Sequence, residues 1–185
     1  MIVNMSIYEA IILVGLPGMG KTSIGKKITK EHPTIKGIEQ DDFYINGKAD
    51  HNAYVREIKR TVQHQHVILC KNHHTKESLQ QVLEALQQIH VRYTIFNLVP
   101  KDISSMSKEE RNNHINTLLD RIEKRTDGSS HLCIDHTHSR DRARQIIKHG
   151  FWKNYQEPEE PFIQLSYLDL IETNVKIIMS YLKIL

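Results

Sequence analysis

Cysteine is nearly missing from this 185-residue chain: Cys70 and Cys133 are too few for a disulfide framework, which points to a reducing compartment, cytoplasm or nucleus. Long apolar runs are missing too. The longest, Ala10 to Gly15, falls far short of the roughly 20 residues that a membrane-spanning helix needs. It also lacks the basic stretch and small-residue cleavage site of a secretion signal, so no membrane association is expected. Internal repeats, low-complexity tracts and Pro/Gly/Ser-rich linkers are absent, and residues 1–185 read as a single domain. There is no strongly basic arm of the kind that grips DNA without sequence preference. The formal charge is +3, and 12 histidines add positive charge toward pH 6, which is compatible with an anionic ligand without demanding one.

What the chain does have is 39% hydrophobic and 25% charged residues, enough apolar material for a core and too much for intrinsic disorder. Short apolar runs alternate with stretches of helical period, the pattern of a parallel sheet flanked by helices. The runs predict strands at Tyr8 to Val14, Thr34 to Glu39, His66 to Cys70, Tyr93 to Val99 and Phe162 to Leu168. Helices are expected at about Lys21 to Lys30, Asn52 to Gln63, Thr75 to His90, Ser107 to Arg125 and Arg140 to His149, with a last one from Leu168 to the C-terminus. Leu165, Leu168, Leu170, Ile171, Val175, Ile178, Met179 and Leu182 are expected in the core. The segment Lys101 to Asp135 is charged, with few apolar anchors, and reads as a lid insertion or a solvated connecting helix.

The sharpest motif is Gly15-Leu16-Pro17-Gly18-Met19-Gly20-Lys21-Thr22, which matches G-x-x-x-x-G-K-[ST] between an apolar strand and a helix-compatible stretch. Its glycines let backbone N–H groups turn inward around a phosphate. Lys21 can reach the β/γ oxygens, the Thr22 hydroxyl can ligate Mg²⁺, and the helix that begins there points its positive end at the same group. Residues Gly15, Pro17, Gly18, Met19, Gly20, Lys21, Thr22 and Ser23 thus form a nucleotide-binding loop, with Thr22 as metal ligand and Mg²⁺ and a nucleoside triphosphate as cofactors. The fold expected is α/β: a P-loop NTPase/kinase fold with a central parallel sheet of about five strands, helices on both faces and a lid at about residues 101–135.

Switch GTPases should also show D-x-x-G and N-K-x-D, and neither occurs. A motor-type ATPase should carry an apolar strand ending in an acid, whereas His66-Val-Ile-Leu-Cys70 runs into Lys71. A phosphotransferase needs a carboxylate near the acceptor hydroxyl, and Asp41 and Asp42 end the second strand about twenty residues beyond Lys21. Either could take the hydroxyl proton while the other holds Mg²⁺ or its waters. Arg121 and Arg125, four apart on one helix face, are candidates for stabilising charge on the phosphoryl group in flight. The alternative for both is an exposed face paired with Asp120 and Glu123; Arg140, Arg142 and Arg144 are further candidates. Neither C-x-x-C nor H-E-x-x-H occurs, which argues against a structural zinc site. His73, His74 and His131 are candidates for phosphate or RNA contacts, and Phe43, Tyr44 and Trp152 for base stacking or core packing.

The loop Gly15 to Ser23, the Gln40-Asp41-Asp42 acid site and Cys70-Lys71-Asn72-His73-His74 together resemble the P-loop polynucleotide 5′-kinases, and most of all the kinase domain of fungal-type tRNA ligases. That family's third strand runs into a basic residue followed by Asn and His, and an Arg precedes a loop after the lid helix. Here Arg125 precedes Thr-Asp-Gly-Ser-Ser-His131. The resemblance implies transfer of a γ-phosphate, from GTP or ATP, to an RNA 5′-OH end, as in tRNA splicing or RNA repair. It carries Lys21 and Thr22 to phosphate and Mg²⁺ roles, Asp41 or Asp42 to general base, and Arg121 or Arg125 to the lid. Three positions depart from it, the first being His73, which replaces the family's usual Asn. Cys70 stands where the family usually has an acid, and Tyr44 stands where phage-type kinases place a substrate-holding Arg. Substrate grip then falls to Arg56, Lys59 or Lys71, with Asn72 and His74 beside them. Two rival readings are a small-molecule (nucleoside or nucleotide) P-loop kinase and a non-catalytic nucleotide-binding module.

Overall fold

The computed structural model describes residues 7–45, 48–73, 75–124 and 139–182. Its centre is a five-stranded, all-parallel sheet built from β1 (Glu9–Val14), β2 (Ile35–Glu39), β5 (His66–Cys70), β6 (Arg92–Asn97) and β7 (Phe162–Gln164), in the order β2-β5-β1-β6-β7. Around it run α1 (Lys21–Glu31), α2 (His51–Thr61), α3 (Lys76–Gln88), α4 (Lys108–Glu123), α5 (Arg140–Gln145) and α6 (Ile171–Tyr181). The strand β1 shows why this is a two-sided sheet. Ile11 and Leu13 enter a core shared with α1, α4 and α6, while Ala10, Ile12 and Val14 enter a second core shared with α2 and α3. All five are fully buried, so the strand reads as an unbroken apolar run instead of an alternating one.

Between β2 and α2 lie a 3₁₀ turn over Gln40–Phe43 and a small antiparallel pair, β3 (Tyr44–Ile45) with β4 (Lys48–Ala49), neither marked by a hydrophobic period. After α5 the chain widens into a π-helical stretch, Ile146–Trp152. Ile147 and Trp152 are both buried at a spacing of five, which a wide turn aligns better than α geometry does. Two expectations about the apolar residues need correction. Leu165 is buried, but Leu168 and Leu170 are 57% and 74% exposed, because β7 stops at Gln164 and the chain turns through them before α6 starts. In the expected lid segment, α4 is better anchored than its charge suggests: Ile115, Leu118, Leu119 and Ile122 are buried in the core, at helical spacing.

Candidate nucleotide and phosphoryl-acceptor site

In a parallel α/β sheet, ligands bind beyond the carboxyl ends of the strands. The ends of the three neighbouring strands β2, β5 and β1 hold most of the residues singled out from the sequence. At β1 the loop Gly15 to Gly20 turns the chain into α1, with Gly18 and Gly20 at φ +85° and +87°, where a side chain would be strained. A Cβ on Gly18 would also meet the Leu118 carbonyl at 2.9 Å, so α4 packs directly on the phosphate loop. Met19 is buried in the core and its sulfur accepts from Leu16 N–H at 3.2 Å, leaving only its backbone to offer a phosphate.

The helix α1 differs at its start from α2, α3, α4 and α5; α6, with Leu170 at its N-cap, also lacks a side-chain cap but carries Glu172 in its first turn. Side chains cap α2 (Asp50), α3 (Thr75), α4 (Ser107, with Glu110 completing a capping box) and α5 (Ser139). The N-cap of α1 is Gly20, no side chain accepts there, and its first turn holds no acid. Its end therefore offers N–H groups and an unopposed dipole to an anion. Lys21 is buried and donates to the Gly15 and Leu16 carbonyls, both at 2.9 Å, so its ammonium is stored on the loop it serves.

Thr22 Oγ1 donates to Glu39 Oε2 at 3.0 Å. Glu39 is half-buried; desolvation raises its carboxyl above the usual range, and the Thr22 hydrogen bond and Lys26 partly oppose this. Asp41 and Asp42 follow it on the 3₁₀ turn, both exposed. The structure thus brings three carboxylates to the end of β2 and sets the one that the motif reading passed over against the phosphate loop. Register is what hides Glu39 in the sequence: it pairs with Cys70 across β2 and β5, a neighbourhood no spacing reveals.

At the end of β5, Cys70 is buried, and burial pushes its thiol up to about 12, so it stays neutral. Lys71, only 8% exposed, lies with Nζ 3.1 Å from His51 Nδ1 and 5.6 Å from the centre of the Tyr54 ring. Burial pulls its ammonium down to about 8. His51 is lowered by burial and then by the Lys71 charge. His73 is 1% exposed and held neutral by burial, its Nδ1 3.3 Å from the Ser78 carbonyl. That packing under α3 turns His73 from a candidate surface contact into a buried one. The polar atoms His51 Nε2, Tyr54 Oη and His73 Nε2 are buried without a partner among the described residues. Neither His51 nor Tyr54 belongs to a recognisable motif, and only the fold delivers them here.

Arg56 is exposed on α2 and lines, with His51, Lys59, Glu84 and Gln88, a groove of about 450 Å³ between α2 and α3. Asn72 is half-buried beside Lys71. Arg121 donates to the Tyr167 carbonyl at 2.6 Å and stacks 5.3 Å over its ring; Asp120 and Glu123 are instead taken by Arg140. The alternative reading, Arg121 paired with those two acids, is therefore replaced by a tether to the loop before α6. His74, Arg125, His131, Cys133 and the Tyr44 side chain lie outside the described residues. Among the described residues no group of three or more His, Cys, Asp and Glu is placed to hold a metal ion. The Thr22 hydroxyl at the phosphate loop is the kind of hard oxygen donor that Mg²⁺ takes together with phosphates and water. No helix of the described chain is long and apolar enough to cross a membrane.

Comparison with known proteins bears on the family and the fold. Residues 10–172 match the family model described as the tRNA ligase kinase domain. Among solved structures, a fungal RNA kinase superposes with a TM-score of 0.66 at 19% identity, over 95% of this chain and 86% of that one. A gluconokinase from Sinorhizobium meliloti 1021 gives 0.61 at 12% identity, over 95% and 91%. The Mycobacterium tuberculosis APS kinase CysC, in complex with AMPPNP and APS, gives 0.55 at 12%, over 95% and 97%. No curated protein sequence matches the chain at a significant level. At such identities the structures speak for the fold, that of the P-loop kinases.

Proposed function

The chain belongs to the tRNA ligase kinase domain family, and we propose that it transfers the γ-phosphate of a nucleoside triphosphate, GTP or ATP, to the 5′-hydroxyl of an RNA end. The observation that carries the reading is the pairing of an uncapped, acid-free phosphate loop at the end of β1 with a buried cation, Lys71, at the end of the neighbouring strand β5. The loop suits the donor. A desolvated ammonium suits a phosphodiester of the acceptor strand better than it suits an uncharged nucleoside.

On donor binding, Lys21 exchanges the Gly15 and Leu16 carbonyls for β/γ-phosphate oxygens, and the N–H groups at the start of α1 close on the same group. Bound Mg²⁺ would supply neutralisation of charge on the β- and γ-oxygens, with Thr22 among its ligands. Asp41 or Asp42 takes the proton of the 5′-hydroxyl as its oxygen bonds to the γ-phosphorus and the bond to the β–γ bridging oxygen breaks, releasing the nucleoside diphosphate. Lys71 holds the first phosphate of the acceptor strand, with Asn72 beside it and Arg56 and Lys59 along the groove, and the family resemblance adds His74 to the substrate contacts. Arg125 completes the charge on the transferring group, a role given to it by the family resemblance.

The test is direct: purified protein, Mg²⁺, an RNA oligonucleotide with a 5′-OH, and each γ-labelled triphosphate in turn. The expected result is label on the RNA, reduced about 100-fold or more in Lys21→Ala and lost in one of Asp41→Asn and Asp42→Asn. Label on free nucleosides with none on RNA overturns the acceptor assignment. Nucleotide binding without transfer to either overturns catalysis.

A further inference from the structure

A threonine that gives an oxygen lone pair to a cation still has a proton to place, since a hydroxyl is one donor and two acceptors. In phosphate-loop sites a carboxylate on a neighbouring strand completes the metal position together with that hydroxyl. At the end of β5 this chain has no carboxylate to give. It has Cys70, a buried neutral thiol 3.5 Å from the Lys21 carbonyl, whose soft sulfur is a poor match for a hard cation. One strand over, in register with Cys70, stands Glu39, and its Oε2 already accepts the Thr22 proton at 3.0 Å.

We propose that Glu39 is the metal-positioning carboxylate of this site, supplying from β2 the negative charge that the end of β5 lacks, so that Thr22 and Glu39 together receive the Mg²⁺ of the bound nucleotide. The inference rests on the kinase reading for the presence of a metal–nucleotide. It sharpens the division of labour among the acids at the end of β2. Glu39 faces the phosphate loop, while Asp41 and Asp42 stand exposed on the following turn and remain for the acceptor hydroxyl.

The experiment uses Mn²⁺ in place of Mg²⁺, titrated into the full chain with a non-hydrolysable GTP or ATP analogue, with free Mn²⁺ read by electron paramagnetic resonance. Glu39→Gln should weaken Mn²⁺ binding about tenfold to a hundredfold, with nucleotide affinity in EDTA and the thermal melt both unchanged. Glu39→Asp, which keeps the charge on a shorter arm, should fall between. Adding Cys70→Asp to Glu39→Gln should restore most of the lost affinity, by returning the acid to β5. Wild-type Mn²⁺ binding in Glu39→Gln overturns the proposal, and so does a loss of equal size in the EDTA titration, which marks a structural role. A folded double variant that recovers nothing overturns the claim that Glu39 stands in for an acid on β5. Where the double variant does not fold, the order of the wild type, Glu39→Asp and Glu39→Gln decides. Label transfer to RNA by the wild type is a separate readout, so either reading can fail while the other stands.

Discussion

Replacing Lys71 with methionine should make the free protein more stable and a worse kinase. The side chain is 8% exposed and its ammonium is held at about 8 against an ordinary value of 10.5, with burial as the cause. A folded-state pKa below the unfolded one means that the charged form opposes folding. That penalty is fully present below pH 8 and disappears as the pH approaches the unfolded value. At about 1.36 kcal/mol per unit, the lowered pKa corresponds to roughly 3 kcal/mol against folding at pH 7 and to less than about 1 kcal/mol at pH 10. Methionine fills similar space and has no charge to desolvate. It also frees His51 from the Lys71 charge, the second of the two effects that lower the imidazole. Thermal melts should therefore show the variant about 6–12 °C above wild type at pH 7, with the gap closing by pH 10. In the transfer assay the RNA KM should rise sharply while donor affinity holds, because Lys21 and the loop are untouched. A variant less stable than wild type at pH 7, or a gap that does not close with pH, would refute the picture of Lys71 as a stored, ligand-directed charge.

Two further substitutions test how the site is held. A Cβ on Gly25 would stand 2.6 Å from Cys70 Sγ, so Gly25→Ala should cost about 1–3 kcal/mol in urea melts. Most of that loss should be recovered by adding Cys70→Ala, and equal losses in the single and double variants would refute the contact. Glu57 is held down to about 2, first by Arg60 and then by Lys36 and Thr61 against the opposing effect of burial. Its contribution is present above the ordinary carboxylate range and is lost as pH falls toward 2. Arg60 and Lys36 stand largely in solvent, so Glu57→Gln should cost only about 1 kcal/mol at pH 7, and its melting curve should converge on wild type near pH 2.

The parallel sheet and the helix placement were legible because burial on both faces leaves a strong mark: the runs at β1, β5 and β6 could hardly lie anywhere but in a parallel sheet. The phosphate loop was legible because its chemistry forces adjacent residues into fixed roles. Glu39 was not, because its function depends on register with Cys70, a property of strand pairing that no local spacing encodes. The same holds for His51 and Tyr54, which reach Lys71 only once α2 packs against the end of β5. The exposure of Leu168 and Leu170 was misread because a helical period was extended through a turn. The anchoring of α4 was misread because charged residues outnumber its apolar ones, although four buried residues on one face are enough to seat it.

The ends of β1 and β5 bring three polar side chains to the same place, and each is held on a protein partner that a ligand can replace. Lys21 rests on two loop carbonyls, Thr22 on Glu39, and Lys71 on His51. Leaving those groups bare would cost several kcal/mol apiece in a partly buried site, and pairing them permanently in ion pairs would remove their use. The partners chosen are weaker than the ligands expected: carbonyls against phosphate oxygens for Lys21, and a neutral imidazole against a phosphodiester for Lys71. A ligand group therefore gains the difference between two hydrogen bonds of unequal strength instead of the full energy of a new one. Binding on these terms is modest for each contact and selective for anions, because a neutral ligand cannot outbid the resident partner. His51 Nε2 and Tyr54 Oη, buried beside Lys71 without a partner among the described residues, extend the argument to the acceptor. A polar ligand group can satisfy those atoms, so an acceptor that brings a phosphate and a ribose together should be favoured over either one alone.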